Sequence, residues 1–217
     1  MIVVDSGSII SLAMNCLCPL MGMMGKQFVI TPKVYQEIIE KPSEGKRFAL
    51  ESIRINRLIS SGVINIMKPA GGLGDEIAQV ANKIYELKGK PLSIIHPAES
   101  EVIAVASEID ASAVMIDERT TRLLIENPWS LRDLLAHRNK ETIKVDKKQL
   151  KRLQDLMPQI PLIRSAELVA VAYEKGYLTQ LYGIDDKKLL EASLTALKYS
   201  GCSITWEEID EYLREEI

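Results

Sequence analysis

The chain has 217 residues, 47% of them hydrophobic and 26% charged, with a formal net charge of −3. That composition belongs to a folded globular protein and excludes a disordered one; the weak negative charge excludes a global attraction for nucleic acid or anionic membrane, so any such contact needs a local basic patch. No apolar run has the length needed to span a bilayer, and the cysteines Cys16, Cys18 and Cys202 form no paired Cys-x-x-Cys spacing, which fits idle thiols in a reducing cytoplasm.

The chain opens on Ile2, Val3 and Val4 with no charged region before them, so a strand is expected and a secretory signal is not. Asp5 ends the strand, and Ser6, Gly7 and Ser8 suit a tight turn into an apolar helix over 9–17. Asp5 either caps that helix or belongs to a site, because ligands of open α/β sheets gather at the carboxyl ends of strands. "QFVITPKVYQEIIEKP" repeats the pattern, with a strand over 28–30, Thr31 as cap, Pro32 in the first turn and a helix that stops before Pro42. A helix in "GKRFALESIRINRLISSG" closes at Gly62, and "VINIM" reads as another strand.

"GLGDEIAQVANKIYELKGK" places Ile77, Val80, Ile84 and Leu87 on one helical face. "PAESEVIAVASEID" is helical again after Pro97, and 113–117, "AVMID", is a strand ending in an acid. Residues 127–160 are more charged and break the alternation, so they read as a helical insertion. The expected division is an α/β core over 1–126, the insertion over 127–160, and a C-terminal helical part over 161–217 that packs on the core. In that last part Thr205 and Glu208 match a capping box. Strands alternating with helices predict a parallel, doubly wound α/β sheet with right-handed crossovers.

Two strands end in carboxylates, Asp5 and Asp117, and two helices carry Glu37 and Glu99 in early turns. Strand carboxyl ends and following helix amino ends share one edge of such a sheet, so these four acids are expected to converge. Gathered carboxylates raise one another's pKa and are most easily tolerated around a hard cation. Ligation by oxygen alone favours Mg²⁺ or Mn²⁺ over Zn²⁺, and the matching chemistry is phosphodiester hydrolysis. Ser6 and Ser8 have no histidine base nearby in sequence, and "GGLGDE" lacks the lysine and hydroxyl of a phosphate-binding loop.

"VVDSGSII", "ITPKVYQEI", "PAESEVIAVASE" and "AVMIDERTTR" resemble, in this order, the successive motifs of PIN-domain ribonucleases. The chain is similar to the archaeal and bacterial branch whose third motif reads Gly-Glu-Ala-Glu-Ala, with Ala98 in place of the glycine. The resemblance spans roughly the first 125 residues. It implies a three-layer α/β/α sandwich and a metal-dependent endoribonuclease in which Asp5, Glu37, Glu99 and Asp117 bind Mg²⁺ or Mn²⁺. It makes Glu101 and Glu118 auxiliary acids and Ser6 a supporting hydrogen-bond donor. The polar residue that the family often has before its last acid is replaced here by Met115 and Ile116. The resemblance further implies RNA as substrate, toxin-like or RNA-processing roles, an antitoxin-like protein partner for toxins, and a homodimer. Arg119 and Arg122 follow Asp117 closely and are placed to touch substrate phosphate or pair with site acids.

Two rivals stand beside this reading. A phosphatase of the haloacid-dehalogenase type needs a second aspartate two residues after the first, where Gly7 stands. A catalytically degenerate PIN scaffold that binds RNA or protein remains open.

Overall fold

The computed structural model describes residues 1–45, 47–184 and 187–214. Lys46, Asp185, Asp186 and the terminal Glu215, Glu216 and Ile217, which the sequence places in or beside helices, lie outside the described residues. The strands are β1 (Ile2–Val4), β2 (Phe28–Ile30), β3 (Ile64–Ile66), β4 (Tyr85–Leu87), β5 (Lys90–Pro91), β6 (Ala113–Met115), β7 (Ile143–Val145) and β8 (Leu162–Ile163). Five of them form a central sheet in the order β3-β2-β1-β6-β8, parallel throughout. Val3 lies opposite Val29 and Val114, and Val114 opposite Leu162. Every residue of β2 and β6 is buried, as expected of short apolar strands covered on both faces.

The chain winds from β1 outward to β2 and β3, then crosses to the other side of β1 for β6 and β8. The order therefore reverses between β1 and β6, and such a reversal opens a crevice at the carboxyl ends of the two strands. The helix Pro97–Glu108 packs on β1 and β6, while the helices Ser6–Met14 and Ser165–Glu174 pack on each other. Leu178, Leu190, Leu194 and Ile209 join the same hydrophobic cluster as the sheet, so the C-terminal helices share its core.

A second, antiparallel sheet has the order β5-β4-β7 and its own cluster, built around Ile77, Tyr85, Leu131 and Leu153. Two expectations change here. The helix that begins at Leu73 stops at Ala81 instead of running through Leu87. Leu87 pairs with Lys90 across a two-residue turn in which Lys88 and Gly89 both have positive φ, the geometry that suits a right-twisted hairpin. The stretch 127–160 is likewise not helical throughout. Its helices Pro128–Asn139 and Lys147–Leu156 flank β7, whose partly apolar Ile-Lys-Val pairs with Tyr85–Leu87.

A third difference lies at Pro42. The helix that starts at Pro32 passes that residue, through a π-helical turn over Gln36–Glu40, and continues as Lys41–Glu44. A proline removes a donor and crowds the carbonyl four residues back, and the wider π turn accommodates this. Glu37 sits in that turn.

Candidate active site

Asp5 follows β1 and is 3% exposed. Its backbone N–H donates to the Met115 carbonyl at 3.0 Å, which ties the ends of β1 and β6 together. Its Oδ2 accepts from the Gly7 amide at 3.1 Å and so caps the helix Ser6–Met14. A Cβ on residue 7 would approach that oxygen to 3.3 Å, tighter than ordinary packing, which suits glycine there. The other oxygen, Oδ1, is buried and has no hydrogen-bond partner among the described residues. Burial, then the negative charge of Glu99, pushes the Asp5 carboxyl up to about 7 against the Gly7 and Ser6 amides, with Glu37 adding to the rise.

Glu37 accepts a 2.8 Å hydrogen bond from the Ser6 hydroxyl, so the residue after Asp5 holds the acid from the π turn. Glu99 is 9% exposed and lies in the first turn of Pro97–Glu108. Its Oε2 accepts from the His96 amide at 2.7 Å and its Oε1 from the buried Thr121 hydroxyl at 3.0 Å. Burial raises its pKa above the usual range, the two hydrogen bonds oppose this, and Glu118 adds to it. Asn82 fixes the approach to this turn: its Oδ1 accepts from the Ile94 and Ile95 amides at 2.6 and 2.9 Å. Glu101, also buried, accepts from the Lys33 amide at 3.0 Å and thereby anchors the helix that leads to Glu37.

Asp117 is placed at the end of β6 but faces different company. Ser165 donates to both of its oxygens, the amide to Oδ1 at 2.7 Å and the hydroxyl to Oδ2 at 2.6 Å. Burial nevertheless raises its pKa, and after burial its charge helps to push the Cys202 thiol up to about 12. Each carboxylate oxygen retains a second lone pair for another partner. Glu118 caps the helix Arg119–Glu126 by accepting from the Thr121 amide at 2.6 Å. Arg122 pairs with Glu126 at 2.8 Å, so it does not pair with a site acid, and Arg119 is exposed.

Sequence reasoning missed Thr121, Ser165 and Asn82. Thr121 carries a usable signal, because it stands one helical turn after Asp117. Ser165 carries none, since its place beside Asp117 depends on β8 pairing with β6.

Asp5, Glu37 and Glu99 thus interact electrostatically at the β1 end, with Glu118 next to Glu99 and Asp117 at the neighbouring strand end. Among the described residues no group of three or more His, Cys, Asp or Glu side chains stands close enough to hold a metal ion. The donor chemistry still fits a hard divalent cation at Asp5, since the candidates are all oxygen and the buried Oδ1 is an acceptor lacking a donor.

A doubly wound parallel sheet with buried acids at its switch point defines the class of α/β proteins that act at strand carboxyl ends. A family model for the PIN domain matches residues 1–127, more than half of the chain, and the chain belongs to that family. PIN domains are nuclease-type folds that generally use divalent metals. No curated protein and no solved structure matches the chain. Among the described residues no helix is long and apolar enough to cross a membrane.

Proposed function

We propose that the protein is a divalent-metal-dependent endoribonuclease in which Asp5, Glu37, Glu99 and Asp117 supply carboxylate oxygens to Mg²⁺ or Mn²⁺. The observation that carries this reading is the buried, donor-less Oδ1 of Asp5, beside two further acids at the switch point of a PIN-domain sheet. When bound, the ion would supply charge neutralisation for the phosphodiester and acidify water for in-line attack. The residues of the chain do the positioning. Gly7 holds one oxygen of Asp5 and leaves the other free, Ser6 aims Glu37, Thr121 and the His96 amide fix Glu99, and Ser165 fixes Asp117. Arg119 follows this edge directly in the chain and is exposed, so its guanidinium is available to a phosphate.

A scaffold that binds RNA without cutting it is the competing reading, favoured by the double engagement of Asp117 with Ser165. Incubation of a labelled single-stranded RNA with the purified chain and Mn²⁺ separates the two. The nuclease reading predicts cleavage that stops in chelator and falls by roughly 100-fold or more in Asp5→Asn and Glu99→Gln, the scale seen when preorganised charge stabilisation is removed. Equal cleavage by wild type and both variants exposes a contaminant, and binding without cleavage establishes the scaffold.

A further inference from the structure

The helix Arg119–Glu126 brings Thr121 to Glu99 and also lines a cleft of about 800 Å³, together with Lys198, Tyr199 and Trp206 from the C-terminal part. The cleft adjoins the strand end, because Ser203, one of its lining residues, donates its amide to the Asp117 carbonyl at 3.0 Å. Its C-terminal wall lies outside residues 1–127, so nothing in the family match accounts for it.

Two features of the cleft call for a ligand. The first is aromatic. Tyr199 and Trp206 are 79% and 47% exposed, although burial of large rings is strongly favourable. Their centroids lie 6.0 Å apart in an edge-to-face arrangement, and the Lys198 ammonium sits 5.0 Å from the Trp206 centroid while donating to the Ile204 carbonyl. The ring is further fixed because Trp206 starts a helix capped by Thr205 and Glu208. The second feature is cationic. Arg122 gives one nitrogen to Glu126, but its Nη1 is buried with no partner among the described residues. Arg119 has no ion-pair partner among the described residues, whereas Arg164 is saturated by Glu167, Glu208 and the Ser203 carbonyl.

We propose that this cleft is a single-stranded RNA subsite, with a backbone phosphate on Arg119 and Arg122 and a neighbouring base stacked on Trp206 beside the edge-on ring of Tyr199. It deepens the nuclease reading and rests on it for the choice of ligand. A phosphate oxygen pairs with the exposed Arg119 guanidinium and, on a shift of the half-buried Arg122 side chain, satisfies its orphaned N–H. An unstacked base offers the flat face that exposed rings take up without regard to sequence. An acidic peptide would match the cations but would leave the rings unused, and a duplex keeps its base faces stacked away.

The test uses the full chain in EDTA, so that cleavage does not intervene, and fluorescein-labelled deca-uridine followed by anisotropy. Wild type is expected to bind. Trp206→Leu weakens binding about tenfold with the salt dependence unchanged, as loss of one stacked base implies. Arg119→Ala weakens binding severalfold and lowers the slope of log K against log salt by about 1. Arg119 is exposed, so this variant keeps the proposal testable even if Trp206→Leu fails to fold. Wild type that binds this RNA in EDTA but does not cleave it when Mn²⁺ is restored sinks the nuclease reading and leaves the cleft standing, so the two failures are distinguishable. The proposal is overturned if wild type does not bind, if folded Trp206→Leu and Arg119→Ala both bind as wild type does, or if a ten-base-pair duplex binds equally tightly.

Discussion

The carboxyl ends of β1 and β6 lie side by side in the sheet and follow one local pattern: an apolar strand, an aspartate and a helix. The two aspartates are equally buried, at 3% exposure, yet their surroundings differ. Asp5 has one amide on one oxygen, an orphaned second oxygen, and acidic neighbours that help to lift its pKa to about 7. Asp117 has a donor on each oxygen, both from Ser165 at the start of the distant helix Ser165–Glu174. Strand-end placement decides where an acid stands, and the supply of donors decides how much of it remains available. On that ground Asp5 is the more available acceptor of the pair, and Asp117 is also the tie that docks Ser165–Glu174 against β6.

The largest stability effect is expected from breaking that tie. Asp117→Ala strands the buried Ser165 amide and hydroxyl, at a cost of about 2–5 kcal/mol. Thermal unfolding should register a fall on the order of 5–15 °C for a chain of this size. An unmoved transition would show that Asp117 is no more structural than Asp5.

Asp5→Asn sharpens the contrast in the opposite direction. Its folded pKa lies above the value of an unfolded aspartate, so between about pH 4 and 7 the native state holds the extra proton. The associated stability is fully present below that window and is lost as pH rises through about 7. In EDTA at pH 8, Asp5→Asn keeps the Gly7 cap and escapes the charge, so it should be more stable than wild type by roughly 2–4 kcal/mol. Near pH 4 the difference should vanish. A variant less stable than wild type at pH 8 would refute the electrostatic account of this strand end.

Thr121→Val gives the smallest effect. It deletes one of two hydrogen bonds to Glu99 while preserving shape, and about 1 kcal/mol of stability should go with it. The same variant should raise the Glu99 pKa further, which infrared titration of the carboxylate band would detect.

What the amino-acid sequence reveals follows the range of the forces involved. β1, β2 and β6 are legible because buried parallel strands need consecutive apolar residues, and the Thr205–Glu208 box is legible because both of its hydrogen bonds, at 2.7 and 3.1 Å, are local. Asp5 does cap its helix through Oδ2, as its place before Ser6-Gly7-Ser8 suggests, while Oδ1 is buried with no partner among the described residues. The β4–β5 hairpin is hidden because Ile84 and Leu87 also continue the helical stripe of Ile77 and Val80, and the turn depends on a positive φ at Lys88, a residue with no preference for it. Ser165 beside Asp117 is set by the pairing of the two-residue strand β8 with β6, a contact across 48 positions that no local pattern encodes. The motifs quoted for the PIN resemblance all fall within residues 1–127, where the family match lies.

The central claim is that Asp5 is a buried acceptor suited to a hard cation, and Mn²⁺ titration followed by thermal unfolding tests it most directly. At a hundredfold excess over its dissociation constant, the ion should stabilise wild type by about 2.7 kcal/mol, or roughly 5–11 °C, reversibly in EDTA. Asp5→Asn should lose that shift while remaining folded. An equal shift in both proteins, or none in wild type, would contradict the account.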